Sequence, residues 1–426
     1  MRFLAALAVL LLAGPAPAQD FFTLKGHGGP IMGISVSPTG QIATASFDNA
    51  VGLWDGLTPQ WFDGHTAAVN AVTFLSDGRL VSSGDDFTIR LWPGGTVLGT
   101  HQGKVVALAA SPDQSLIATA SWDGTIGLWP LAGGEGRFLT GHDQGVNAVA
   151  FRPDGQLYSA SVDGTIRLWD TGAGAEIRQI VQNGFGINEL VLSPDGWLAY
   201  GAVDGVTRIV DPETGAEIAD FTLERRPILA LALSPDGSRL AVGDGEGYIM
   251  MIDTRNWEIV SDFRATLRGP VWALAFSRDG LNIHAGGLDE AMYSWPVTGM
   301  DPANRMATKP PSFLKNPAEM DNGERQFARK CSVCHSLTPG SERRAGPTLH
   351  RLFGRQAGTV PDYVYSEILD GSTIVWNDTT IDSLFDLGPD HYIPGSKMPM
   401  QRITNASDRA DLIAFLRRAT ASEETK

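Results

Sequence analysis

The feature that most constrains this chain is a repeat. Seven segments, "ASFDNAVGLWD", "SGDDFTIRLWP", "ASWDGTIGLWP", "ASVDGTIRLWD", "GAVDGVTRIVD", "GDGEGYIMMID" and "GGLDEAMYSWP", align without gaps. They close on Trp54, Trp92, Trp129, Trp169, Val210, Ile252 and Trp295, 37 to 43 residues apart. An acidic residue stands six positions before each: Asp48, Asp86, Asp123, Asp163, Asp204, Glu246 and Asp289. "GH" or "TH" opens four units at His27, His65, His101 and His142, and "SPDG" or a variant recurs in every unit. Each unit alternates apolar runs with turn residues, which predicts four short antiparallel strands. Such a unit cannot bury both of its faces alone. Stacking seven of them radially gives each sheet two neighbours, so a period of this length points to a closed array.

The repeat ends near residue 297, and the chemistry-bearing residues change there. Both cysteines of the 426 residues, Cys331 and Cys334, stand in "KCSVCHSL" with His335 directly after them. C-x-x-C-H is the attachment sequence of c-type haem. A disulfide or half of a zinc site are the alternatives for the bare motif; a zinc site needs two further ligands, and no third cysteine exists. The N-terminus, "MRFLAALAVLLLAGPAPAQD", reads as a secretory signal peptide. Arg2 is its basic region, Phe3 to Leu12 its apolar core, and Ala18 the last residue before cleavage. The apolar run is shorter than the roughly 20 residues that a membrane span needs. Export to a bacterial periplasm is therefore expected, a compartment in which haem attachment also takes place. The net charge of −15 excludes duplex nucleic acid as a natural partner, since a polyanion needs a basic footprint.

The repeats resemble the WD-repeat family. The resemblance covers about two thirds of the chain and implies a seven-bladed propeller over 19–296. It also implies that residues 19–25 close the last blade with an outer strand, which removes exposed sheet edges. The family's hydrogen-bonded tetrad is expected in three blades: His27, Ser46, Asp48 and Trp54; His101, Ser121, Asp123 and Trp129; His142, Ser161, Asp163 and Trp169. The second blade carries Gly84 at the serine position, and blades five to seven lack the opening histidine. Those blades are expected to rest on apolar contacts, and the repeated histidines to be structural rather than ligands.

Residues 297–318 are proline-rich and read as a linker. Residues 319–426 then read as helical: "GERQFARKC", "NDTTIDSLFDL" and "NASDRADLIAFLRRATA", the last amphipathic with Asn405 as a cap. From Gly323 to Ala419 the order "GERQF", "KCSVCH", "GPTLHRLFGRQAG", "YVYS", "VW", "YIPGSKM", "RADLIAFLRRAT" is similar to the class I cytochrome c family. The expected architecture is thus an all-β seven-bladed propeller followed by an all-α class I cytochrome c domain. The resemblance implies one covalent haem c, with thioethers at Cys331 and Cys334 and iron ligands His335 and Met398. Met400 is the rival ligand two residues on. It further implies that the Pro347 carbonyl accepts the His335 proton, and that Arg355, Tyr365 and Trp376 surround the propionates. Gly323, Phe327, Leu412 and Phe415 fall where the terminal helices touch. Two positions depart from the family: Leu369 replaces an asparagine and Phe385 a tyrosine, and the lysines that ring the family's haem edge are largely gone. Residues 315–426 hold 14 basic and 15 acidic residues, whereas 19–296 hold 16 and 32.

A closed six-coordinate iron suits outer-sphere electron transfer and not oxygen or peroxide binding. The expected function is a periplasmic electron carrier exchanging electrons with membrane or periplasmic redox proteins, with the propeller as a protein-docking platform. Two other readings compete. One is an oxidoreductase with a catalytic site in the propeller, as in nitrite reductases whose propellers have a different repeat. The other is a haem-based redox sensor or scaffold.

Overall fold

The computed structural model describes residues 21–221, 227–298, 320–332, 334–341, 346–369, 371–396, 398 and 402–421. The leader at 1–18, most of the linker, Arg225, Arg226, Lys397 and Met400 lie outside these residues. Among the described residues, 28 strands form seven four-stranded antiparallel sheets, each built from consecutive strands except the last. Blade one shows the pattern: β2 (Ile31–Val36), β3 (Ile42–Ser46), β4 (Ala50–Asp55) and β5 (Thr58–Asp63). All five residues of β3 are buried, because both faces of this strand lie against sheet neighbours, while β5 alternates toward solvent. Blade seven joins β26 (Val271–Phe276), β27 (Asn282–Gly287) and β28 (Ala291–Pro296) to β1 (Phe22–Lys25). The register runs from Phe22 opposite Ser294 to Lys25 opposite Ala291, so the N-terminal strand closes the ring as expected.

Two local devices recur around the ring. In the "SPDG" turns the serine hydroxyl and the aspartate hold the reversal, as in Ser234 Oγ donating to Asp236 Oδ1 at 2.6 Å and Ser277 Oγ donating to Asp279 Oδ1 at 2.6 Å. The glycine that follows adopts positive φ, 73° at Gly237 and 71° at Gly280, a conformation that a Cβ would disfavour. The innermost strand of every blade also carries a bulge after its first residue, for example between Val69 and Ala71. Where the extra residue is asparagine, it ties one blade to the next. Asn70, Asn147 and Asn188 donate to the carbonyls of Val105, Ile187 and Ile228 at 3.1, 2.9 and 2.8 Å.

The tetrads differ from the expected set. Trp54 Nε1 donates to Thr44 Oγ1 at 2.8 Å, and His27 Nε2 meets the same hydroxyl at 2.7 Å, with His27 Nδ1 donating to Asp48 at 2.9 Å. Ser46 is outside this chain of bonds: its hydroxyl donates to the Gly29 carbonyl and accepts from the Asp48 amide. The hydroxyl slot therefore lies two residues earlier in the strand, at Thr44, Thr119 and Ser159, not at Ser46, Ser121 and Ser161. That shift completes the second blade too, where Ser82 accepts from Trp92 at 2.8 Å and meets His65 Nε2 at 2.7 Å. Alternation explains the error: residues two apart share a face, so sequence alone could not separate the two serine positions.

Burial lowers the pKa of His101 and His142, which leaves each ring neutral, with Nδ1–H toward aspartate and Nε2 accepting from the hydroxyl. Burial by itself raises the Asp86 carboxyl, but the His65 hydrogen bond and charge, with the Thr66 amide and the Thr88 hydroxyl, together outweigh it and hold the group at about 2. Blade five packs Tyr200 where the hydroxyl slot would be, and blade six has Val242 there, both within apolar clusters. Blade seven is not purely apolar. Arg268 Nε pairs with Asp289 at 3.1 Å, the Leu267 amide donates to the same carboxylate at 2.7 Å, and Trp295 Nε1 donates to the Ala265 carbonyl. His284 is buried in β27 beside the Ser294 hydroxyl, its pKa lowered by burial to about 4.

Among the described residues after the propeller are four α-helices, α1 (Asn322–Lys330), α2 (Asp378–Leu387), α3 (Pro389–Tyr392) and α4 (Ala406–Ala419). Asp321 caps α1, Asn377 closes a capping box with Thr380 on α2, and Asn405 accepts from the Ser407 amide at the start of α4. Helices α1 and α4 meet at Gly323, where a Cβ would stand 2.0 Å from the Asp411 carbonyl oxygen. Phe327 and Phe415 pack there with ring centroids 5.4 Å apart, and Leu412 is fully buried beside them.

Candidate functional site

The motif "CSVCH" begins where α1 stops. The Cys331 amide donates to the Phe327 carbonyl and caps the helix, and the amides of Cys334 and His335 both turn back to the Cys331 carbonyl at 3.1 and 2.9 Å. This tight turn sets both sulfurs and the imidazole beside one cavity. The cysteines are buried and form no disulfide with each other. Burial pushes the Cys331 thiol up to about 12, so it stands as a neutral thiol in an apolar wall.

His335 is fixed from behind. Its Nδ1 donates to the Pro347 carbonyl at 2.7 Å, which fixes the tautomer and the orientation of the ring. Gly346 is part of the same support: a Cβ there would fall 2.5 Å from His335 Cε1. The Gly346 amide also donates to the Cys334 carbonyl at 3.0 Å, so the loop bearing Pro347 is tied to the cysteine turn. Met398 lines the same cavity as Cys331, Cys334 and His335, and packs on the core formed by Phe327, Leu384, Phe385 and Leu416.

The other expected residues line the cavity as well: Pro347, Arg355, Tyr365 and Trp376. Arg355 donates to two neutral groups, the carbonyls of His350 and Thr348, at 2.8 and 2.7 Å. Burial lowers its pKa, so its charge lies in a weakly solvated place. The Trp376 amide donates to the Arg355 carbonyl at 2.9 Å, which locks the two residues together. Leu369 and Phe385, the two departures from the family pattern, also face this cavity and offer no hydroxyl or amide. His350 is half-buried and uses its carbonyl on Arg355; His391 is exposed.

Two contributors were not singled out from the sequence. Tyr363 lines the cavity and meets Tyr365 edge to face at 4.9 Å, and burial raises its pKa. Gly346 is the other. The signals were present: Tyr363 and Tyr365 are two apart in an extended stretch, and Gly346 precedes the proline.

The donor set tests whether a c-type haem fits. Two buried thiols suit thioethers, an imidazole nitrogen and a thioether sulfur suit iron, and an apolar wall suits a macrocycle. Arg355, a half-buried cation held by neutral carbonyls, suits a carboxylate edge of that macrocycle. The residues fit.

Comparison with known proteins agrees. Residues 320–420 match the family described as "Cytochrome c". Residues 19–55, 58–93, 95–130 and 133–170 match the family described as "WD domain, G-beta repeat". Those four stretches are the four blades with a complete tetrad. The cytochrome c of Sesamum indicum is 41% identical over 105 residues, which span 25% of this chain and 94% of that protein. That of Guizotia abyssinica is 41% identical over 113 residues, 26% of this chain and 99% of that protein. That of Chlamydomonas reinhardtii is 37% identical over 111 residues, 26% and 98%. The fold and site define a class: a seven-bladed WD-repeat propeller joined to a haem-binding electron-transfer domain. Through that C-terminal domain the chain belongs to the cytochrome c family, whose fold implies covalently bound haem c.

Proposed function

We propose that this protein is an exported electron carrier that works through one haem c and docks to its partners through the propeller. One observation carries the reading: a single cavity gathers both thiols, the buttressed His335 and Met398. Bound there, haem supplies a one-electron iron couple. Cys331 and Cys334 hold it as thioethers. His335 offers Nε2 to the iron, and its Nδ1–H bond to Pro347 increases the basicity of that nitrogen. Met398, which lines the same cavity, would offer its sulfur as a second iron ligand, and a thioether ligand would raise the potential. Arg355, Tyr365 and Trp376 surround the propionate edge. Leu369 removes a family hydrogen bond near the propionates and Phe385 removes one near the Met398 sulfur, and both changes shift the potential.

The leader at 1–18 supports export to a periplasm, where attachment to C-x-x-C-H takes place. The helices α1, α2 and α4 support the class I form for this domain. The blade histidines are committed to Asp and Ser or Thr partners, which argues against a second haem or a catalytic metal in blades one to four.

The test is spectroscopic. Purified protein is expected to show one low-spin haem per chain, no free thiol, and no spectral change with carbon monoxide. A second chromophore, or turnover of nitrite or peroxide, would transfer the assignment to the oxidoreductase reading.

A further inference from the structure

One face of the propeller is laid out blade by blade with the same backbone bond. The residue just before each blade aspartate donates its amide to the loop that precedes the innermost strand. Phe47 bonds to Pro30, Asp85 to Ala68, Trp122 to Lys104, Val162 to Gly145 and Val203 to Gly186, at 2.8 to 2.9 Å. These positions therefore share one face, and their side chains can be compared directly. In three consecutive blades they are large, apolar and open to solvent: Trp122 is 56% exposed, Val162 40% and Val203 47%. Phe185, in the loop beside Gly186, is 59% exposed. Glycines keep the surface continuous. A Cβ on Gly145 would lie 3.1 Å from Trp122 Cα, and one on Gly186 would lie 3.3 Å from Val162 Cα and 3.5 Å from Val203 Cγ2. Trp122 is held in place, since its Nε1 donates to Asn147 Oδ1 at 3.0 Å. A pre-ordered aromatic in a continuous apolar stripe is what a protein interface uses as its anchor.

Charge identifies the partner. Asp143 and Asp204 flank the stripe and are exposed, as is Glu246 in the next blade. Lys104, 5.5 Å from the Trp122 ring, is neutralised by Asp85. The propeller as a whole is strongly acidic, with 16 basic and 32 acidic residues over 19–296. A second propeller would be repelled. The chain's own haem domain lies at blades one and two, where Phe47, Asn49, Thr66, Ala67, Ala68 and Asp85 line the haem cavity, and its 14 basic and 15 acidic residues over 315–426 offer no complementary excess to blades three to five.

We propose that the Trp122–Val162–Phe185–Val203 stripe is the docking site for a redox protein that presents an apolar patch inside a rim of lysine or arginine. Apolar burial at the centre provides the affinity, and the acidic rim steers encounter and selects the sign of the partner. This inference rests on the electron-carrier reading and names the kind of partner it needs.

The test uses the full haem-loaded protein and, as probe, a mitochondrial-type cytochrome c with a lysine-ringed apolar edge. Binding is measured calorimetrically at low and at physiological salt. Binding that weakens steeply with salt is expected. The double substitution Trp122→Glu with Val203→Glu is expected to strengthen charge attraction yet weaken binding at least tenfold, because the apolar anchor is gone. Ile177→Glu with Ile259→Glu, on exposed outer strands, serves as the folding and charge control and is expected to retain binding. Absence of binding at low salt, equal binding by an acidic flavodoxin, or tight binding by the Trp122 double variant would each overturn the proposal. So would a propeller-mediated dimer that the same variant dissolves. Ascorbate reduction and the haem spectrum report separately: if these are abnormal in the unsubstituted protein, the electron-carrier reading fails, whatever the binding result.

Discussion

At the scale of single residues, a hydrogen bond decides what a histidine can do. His335 gives Nδ1–H to a backbone carbonyl, whereas His27, His65, His101 and His142 give theirs to a blade aspartate and set Nε2 against a blade hydroxyl. Met398→Ala is therefore expected to remove the weak red charge-transfer band of methionine-ligated ferric haem and open the iron to carbon monoxide; persistence of the band would disqualify Met398. Glu189 is a second residue with a measurable signature. The first paired position after the bulge is Gly33, Ala71, Ala107, Ala148, Glu189, Ala230 and Ala273 around the ring, so one carboxyl stands among glycine and alanine. Burial pushes it up to about 8 from its ordinary 4.5. With the folded pKa above the unfolded one, stability is greatest below pH 4.5 as far as this group is concerned, and is lost as pH rises through 8. Glu189→Gln is expected to leave the unfolding midpoint near its original value at pH 5 and to stabilise by roughly 2–4 kcal/mol at pH 9. An equal effect at both pH values would show that the carboxyl is ionised throughout.

Among the elements, the blade tetrads separate what was legible in the sequence from what was not. The seven-unit period and the repeated histidines were readable because they follow from spacing, and the closing strand because the resemblance to the WD-repeat family implies it. The hydroxyl partner was not, because Thr44 and Ser46 lie on the same face of one strand and only the bonds distinguish them. That distinction has consequences. Ser82→Ala removes the acceptor of Trp92 Nε1 and the partner of His65 Nε2, both buried, and is expected to cost roughly 2–4 kcal/mol. Ser46→Ala removes one donor bond and one accepted bond outside the tetrad and is expected to cost about 1 kcal/mol. Denaturant unfolding of the two variants checks this, and equal losses would restore the original assignment. The haem domain was legible for a different reason. Its ligands and the Gly323 contact sit in short contiguous motifs, so local spacing carried the information. Gly323→Ala is expected to disrupt the packing of α1 on α4, since the Asp411 carbonyl cannot yield 2.0 Å to a methyl group. Loss of thermal protection in the haem domain with the propeller unaffected would be the observable.

For the whole molecule, two domains divide the work by charge and chemistry. The acidic propeller ties its blade histidines and aspartates into internal bonds and carries the Trp122–Val203 stripe on one face, while the nearly neutral haem domain sets Cys331, Cys334, His335 and Met398 around one cavity. Tyr363 and Gly346 escaped the sequence reading because their roles depend on the shape of a cavity assembled from distant segments. The central claim is that one haem, held by His335 and Met398, exchanges single electrons. A mediated redox titration of the intact protein, beside the Met398→His variant, tests it most directly. The account predicts one single-electron wave in the native protein and a clearly lower potential in the variant, since histidine in place of methionine favours the oxidised iron. Two waves, or a potential that Met398→His leaves unchanged, would contradict it.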